Sequence, residues 1–164
     1  MRTLQTFFIS FAMIGILVLT TSYTDSYYEN WTYVPIFMAR ADLENSVSYQ
    51  SSPRNMETPG KIYYKSPYIY INERYKGVHV IDNSDPENPV KEGFIVAPGC
   101  LDMAVKGNTM YLDNAVDLVA FDLTKKEVTE RIKEVFPEPV SPENDTFYSE
   151  KNREYILVAW RKNN

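Results

Sequence analysis

Lys65-Ser66-Pro67-Tyr68-Ile69-Tyr70-Ile71-Asn72 recurs as Lys106-Gly107-Asn108-Thr109-Met110-Tyr111-Leu112-Asp113, and Val78-His79-Val80-Ile81-Asp82 recurs as Leu118-Val119-Ala120-Phe121-Asp122. The first pair is offset by 41 residues, the second by 40, and Pro59-Gly60 returns as Pro98-Gly99 at an offset of 39. A period near 40 built from short aromatic and β-branched runs is the length of one four-stranded propeller blade. The expected fold class is therefore all-β, with four-stranded, propeller-like units at 59–97 and 98–137.

Turn residues divide each unit. In the first, strands are predicted over 61–64, 68–72, 78–82 and 90–96, separated by Lys65-Ser66-Pro67, by 73–77 and by the long turn 83–89. The second unit repeats this at 101–105, 109–112, 117–122 and 128–135, although apolar residues four apart in the last stretch also suit a helical turn. Upstream, 31–40 reads as a strand, with Pro35 favouring an edge. A short helix capped by Asp42 is expected over 42–47, and loop over 48–58. Downstream, 138–152 reads as loop, and 155–161 as a terminal strand left unpaired.

Composition narrows the classes. Hydrophobic residues make up 44% of the 164 and charged ones 24%, which excludes a disordered chain. The net charge of −5 argues against binding nucleic-acid phosphates. A single cysteine excludes an internal disulfide and any cysteine-based zinc site. Met1-Arg2 precedes a run of 13 apolar residues, Phe7 to Leu19, long enough for a signal peptide and short of the ~20 that a spanning helix needs. Residues 1–22 are therefore expected to be a signal peptide or signal anchor, and 23–58 a tether followed by the N-terminal strand and loop. Thr20 and Ser22 suit a cut before Tyr23.

In these residues the chain resembles the LVIVD-repeat family, whose defining strand corresponds to Val78-His79-Val80-Ile81-Asp82. The connection Asn83-Ser84-Asp85-Pro86-Glu87-Asn88-Pro89 fits the family's aspartate-proline-x-x-proline turn, whereas Leu123-Thr124-Lys125-Lys126 in the second unit lacks both prolines. The resemblance implies a β-propeller architecture, an exported protein and, for most members, no established activity. The chain departs from the family in having about two repeats and in carrying Tyr23 where exported lipoproteins have the lipid-bearing cysteine. A closed propeller needs about four blades, or ~160 residues; residues 59–137 supply 79, so an incomplete propeller is expected. Val105, Met110, Leu112 and Val119 are expected on the outward face of the second unit, where a further blade would pack.

Each candidate for chemistry has a structural reading beside it. His79, the only histidine, has no partner for a histidine metal site and reads as structural or surface. Cys100 reads as a small buried hydrophobe. Asp82, Asp85 and Glu87 read as turn caps in preference to calcium ligands. Tyr63, Tyr64, Tyr68, Tyr70 and Tyr75 suit a carbohydrate or peptide surface as well as core packing. Tyr68, Tyr70 and Tyr111 are the candidate ligand surface, with Tyr111 the repeat counterpart of Tyr70. No cofactor, metal or catalytic residue is assigned. The reading that results is an exported, non-catalytic repeat module that binds or scaffolds at the cell envelope, in the periplasm, outer membrane or cell surface. Its expected partners are a protein or carbohydrate, or a second copy through exposed edges, with membrane contact only through the N-terminal segment. The alternative is a propeller hydrolase using carboxylates such as Asp102 or Asp113.

Overall fold

The computed structural model describes residues 31–143 and 154–163. The chain divides into two compact units, Met1–Thr32 and Tyr33–Asn164, and every element named below belongs to the second. The expected signal segment 1–22, the tether over 23–30 and part of the loop after 137 lie outside the described residues.

The two repeats fold as two antiparallel meanders. β3 (Pro59–Lys65), β4 (Tyr68–Glu73), β5 (Gly77–Asp82) and β6 (Val90–Val96) pair in chain order, and β2 (Ser48–Gln50) adds a fifth strand against β6. β7 (Met103–Lys106), β8 (Thr109–Asn114), β9 (Asp117–Asp122) and β10 (Glu127–Ile132) form a four-stranded sheet. The stretch that also suited a helical turn is thus strand β10. A third, two-stranded sheet joins β1 (Tyr33–Ala39) to β11 (Tyr155–Lys162), with α1 (Arg40–Glu44) following β1. All-β is the class, in three open sheets.

Two expectations need correction here. The terminal strand is not unpaired: β11 runs antiparallel to β1, from Tyr33 opposite Lys162 to Ala39 opposite Tyr155. Residues 48–58 are not wholly loop, because Ser48–Gln50 pairs with Phe94–Val96. Both strands find partners far away in sequence, which local patterns do not encode.

Turn chemistry explains the registers. Asp82 and Asp122 are repeat counterparts and act alike. Asp82 Oδ1 accepts the Ser84 N–H at 2.8 Å, while Asp122 Oδ1 accepts those of Thr124 and Lys125 at 2.8 and 2.9 Å. Gly77 has φ +140°, and a Cβ there would lie 2.0 Å from the Ile95 carbonyl oxygen, so no other residue fits between β5 and β6. The repeated Pro-Gly pairs diverge, since Gly99 takes φ +82° whereas Pro59-Gly60 opens strand β3.

The core lies between the two larger sheets. Tyr70, Val78, Val80 and Ile95 of the first sheet pack with Met103, Val105, Met110, Leu112, Val119 and Phe121 of the second. Registers show how the sheets are oriented. Tyr70 lies opposite Val80, and Tyr111 opposite Ala120, at corresponding positions. Tyr70 is 3% exposed against the second sheet, yet Tyr111 is 39% exposed. The repeats therefore stack in the same sense, and a given repeat position points the same way along the stack in both. This overturns the expectation for Val105, Met110, Leu112 and Val119: they face the first sheet, and the outward residues are Ala104, Tyr111, Leu118 and Ala120. Alternation yields two faces per strand but does not say which one is covered.

A buried polar cluster fastens α1 to the second sheet. Asp117 is fully buried, and its carboxylate accepts both Nη atoms of Arg40 at 3.0 Å, Arg131 Nη1 at 2.8 Å and the Glu134 N–H at 3.0 Å. Arg131 also donates to Asn114 Oδ1 at 2.8 Å and to the carbonyls of Leu43 and Glu44 at 3.3 Å. The cluster joins α1 to β9 and β10, beside a small core of Leu43, Ala115, Val116, Ile156 and Val158. Removing one partner of such a buried pair strands the others without charge compensation. Asp117→Ala is expected to lower the unfolding free energy by about 3–5 kcal/mol in a denaturant titration. Glu127→Ala, at the exposed Lys125–Glu127 pair, should change it by less than about 1 kcal/mol.

Candidate functional site

A cavity of about 310 Å³ opens at the seam between the two larger sheets. From the first sheet come Tyr68 and Tyr70, two residues apart on β4 and so on one face, with ring centroids 6.1 Å apart and planes tilted by 33°. β2 contributes Tyr49, and β6 contributes Glu92. The second sheet supplies Asn108, Thr124 and Lys126 from its turns. Lys126 places Nζ 4.0 Å from the centre of the Tyr49 ring and 3.1 Å from Glu92 Oε1. Val80, Ile95 and Phe121 provide the apolar part of the lining. Two interdigitated turns close one side: Thr124 donates to Asn108 Oδ1 at 3.1 Å, and Asn108 donates to Asp122 at 2.9 Å.

Protonation follows from these surroundings. Burial pushes the Tyr70 phenol up to about 12. The Glu92 charge, then burial, raises that of Tyr68. Burial acts to lower the Lys126 ammonium, but hydrogen bonding and the Glu92 charge outweigh it and leave the group above its ordinary value. At neutral pH Tyr68 and Tyr70 keep intact phenol hydroxyls, beside the Lys126–Glu92 contact.

Tyr111 does not join this site. It lines a second cavity of about 490 Å³ on the outward face of the second sheet, with Leu101, Leu118, Phe136 and Val140 among its walls. Same-sense stacking separates the three candidate tyrosines, since Tyr70 faces into the stack and its counterpart faces out. Tyr63, also named from the sequence, instead spans the seam, its hydroxyl donating to the Val105 carbonyl at 2.9 Å.

Asp102 and Asp113 both line the outward cavity, but each is already engaged. Asp113 Oδ1 accepts the N–H groups of Leu101 and Asp102 at 2.9 Å, and burial raises its carboxyl above the usual range. Asp102 pairs with Lys61 at the surface and accepts the Met103 N–H at 2.8 Å. Among the described residues, no group of three or more His, Cys, Asp or Glu side chains is placed to hold a metal ion. Asp82 and Asp85 bind their own turns, with Asp85 accepting the Glu87 N–H at 3.1 Å.

Glu73 was invisible to sequence reasoning, where it opens a turn. It is 2% exposed, and its carboxylate accepts the N–H groups of Glu57 and Thr58, the Thr58 hydroxyl at 2.8 Å and His79 Nε2 at 3.0 Å. His79 lies edge-on to Phe94 at 4.8 Å, and Arg54 covers the Phe94 ring at 4.5 Å. The segment around 54–58 thus covers the His79–Phe94 part of the first sheet's other face, while Ile62 and Tyr64 on that face stay 69% and 62% exposed. His79 is on the face opposite Val78 and Val80, but both faces of β5 are buried. No family model, curated protein or solved structure matches the chain.

Two outcomes follow from these groups. Burial alone would raise the Glu73 carboxyl, but its hydrogen bonds to His79 and Thr58 hold it down, at about 2 against an ordinary 4.5. The stability it adds is complete above pH 4.5 and is lost as pH falls toward about 2. Acid titration of the unfolding midpoint should show that loss, about 3 kcal/mol in size, and Glu73→Gln should flatten it. Cys100 is fully buried, and burial pushes its thiol well above the ordinary value. A thiol reagent should leave Cys100 unlabelled in native buffer and label it fully in denaturant.

Proposed function

We propose that this chain is an exported, non-catalytic, β-propeller-type repeat module that binds or scaffolds at the cell envelope. The observation that carries the reading is the same-sense stack. It buries the Tyr70 face of the first repeat and leaves the corresponding Tyr111 face of the second, among the described residues, as a partly exposed, largely apolar wall. Unfilled faces of this kind mark association surfaces in repeat proteins. Export is supported by the positively charged start and the apolar run from Phe7 to Leu19. The hydrolase alternative has less support, because Asp113 is committed to two backbone amides and Asp102 to Lys61.

In solutions of the chain alone, the occupant of the Tyr111 face is a second copy. Two copies meet through this same face about a two-fold axis, the commonest closed arrangement of a homo-oligomer. Light scattering should show a concentration-dependent dimer, and Tyr111→Asp combined with Leu118→Asp should leave a folded monomer. A wild-type monomer at all concentrations would overturn the docking surface. Fractionation of a bacterial host should place the protein outside the cytoplasm, and deleting 7–19 should retain it inside. Wild-type protein confined to the cytosol would overturn export.

A further inference from the structure

We propose that the cavity between the two larger sheets binds one ring of a neutral saccharide. The inference rests on the binding-module reading and gives it a ligand class.

Shape comes first. At about 310 Å³ the cavity lies at the small end of the ~300–1,000 Å³ range of small-molecule sites, which suits one ring and not an extended chain. The seam that forms it takes residues from both repeats and from β2, so it exists only in the assembled stack. Tyr68 gives the cavity its aromatic surface, and the buried Tyr70 ring backs it at 6.1 Å. A sugar ring offers such a surface a face of C–H groups, while its hydroxyls project from the ring edge.

Charge and hydrogen bonding select among ligands that fit. Glu92 and Lys126 neutralise one another at 3.1 Å. An anion would have to displace Glu92 from Lys126, and a cation would have to displace Lys126 from Glu92. A hydroxyl needs neither exchange, because it donates to the carboxylate and accepts from the ammonium while the pair stays intact. The remaining cation in the lining, Lys65, is occupied by the Gly107 carbonyl. Tyr49 lines the same cavity, with Lys126 Nζ 4.0 Å from the centre of its ring. Tyr68 and Tyr70, kept as neutral phenols by burial and by Glu92, can each donate and accept.

The test is an amide-resolved NMR titration of the full chain with methyl glucoside, methyl galactoside, methyl mannoside and methyl N-acetylglucosaminide. Inorganic phosphate and glycylglycine serve as charged comparisons. At least one glycoside should give saturable shifts at Tyr49, Tyr68, Tyr70 and Lys126. Tyr68→Leu should abolish them, and Glu92→Gln should weaken binding about tenfold, the loss expected for one charge-assisted hydrogen bond. Both variants should keep the dispersed spectrum of the folded protein. No saturable shift with any glycoside, shifts that survive Tyr68→Leu, or a response to phosphate or dipeptide instead would each overturn the saccharide assignment. Those failures would leave the envelope-module reading standing, because that reading is decided separately by fractionation and light scattering.

Discussion

The first sheet can bury its Tyr70–Val80–Ile95 face only by lying on the Met110–Leu112–Phe121 face of the second. Fully burying one large apolar side chain contributes about 1.5–3 kcal/mol, so this shared face outweighs any single polar contact in the molecule. The seam cavity and the position of Tyr111 both follow from it. Because the repeats stack in the same sense, the surface that ends the stack is the counterpart of the surface buried inside it.

Apolar faces of similar shape can slide, which the Tyr63–Val105 hydrogen bond and the Lys126–Glu92 pair resist across the seam, and buried polar groups fix other segments onto each sheet. Asp117 and its two arginines tie α1 to the second sheet, whereas Glu73 draws residues 57 and 58 onto the first. Both carboxylates accept hydrogen bonds from several directions, and such clusters tolerate little displacement before a charged group loses a partner. They sit away from the seam cavity, whose own polar groups are a self-neutralising pair, phenols and turn amides. At the cavity itself the two sheets are joined by Lys126, which pairs with Glu92 and covers Tyr49, and by Lys65 at the Gly107 carbonyl.

Much of the strand pattern was legible in the sequence. The runs around Tyr68–Asn72 and Val78–Asp82, and their counterparts, alternate and end in Asp, Asn, Gly or Pro, so the local chemistry that fixes the meanders is written there. Long-range pairing was not legible: β2 and β11 are short or isolated runs whose partners lie far along the chain. Face assignment failed for a different reason. Period-two alternation is symmetric between faces, and only the direction of stacking makes Tyr70 inward and Tyr111 outward. Of the candidate ligand surface, two tyrosines share the seam cavity and the third does not. Glu73 gave no signal because a glutamate at the start of a turn is ordinarily solvated, and its burial depends on residues 15 and 16 positions earlier folding back over it.

Native-state hydrogen exchange addresses the dependence of everything else on the shared face. If the two sheets stand only as a stack, the slowest amides of β4 and β5 and those of β8 and β9 open with one common free energy and respond together to added denaturant. Exchange of the second sheet at a lower free energy, while β4 and β5 stay protected, would show that the first sheet folds alone and would contradict the account.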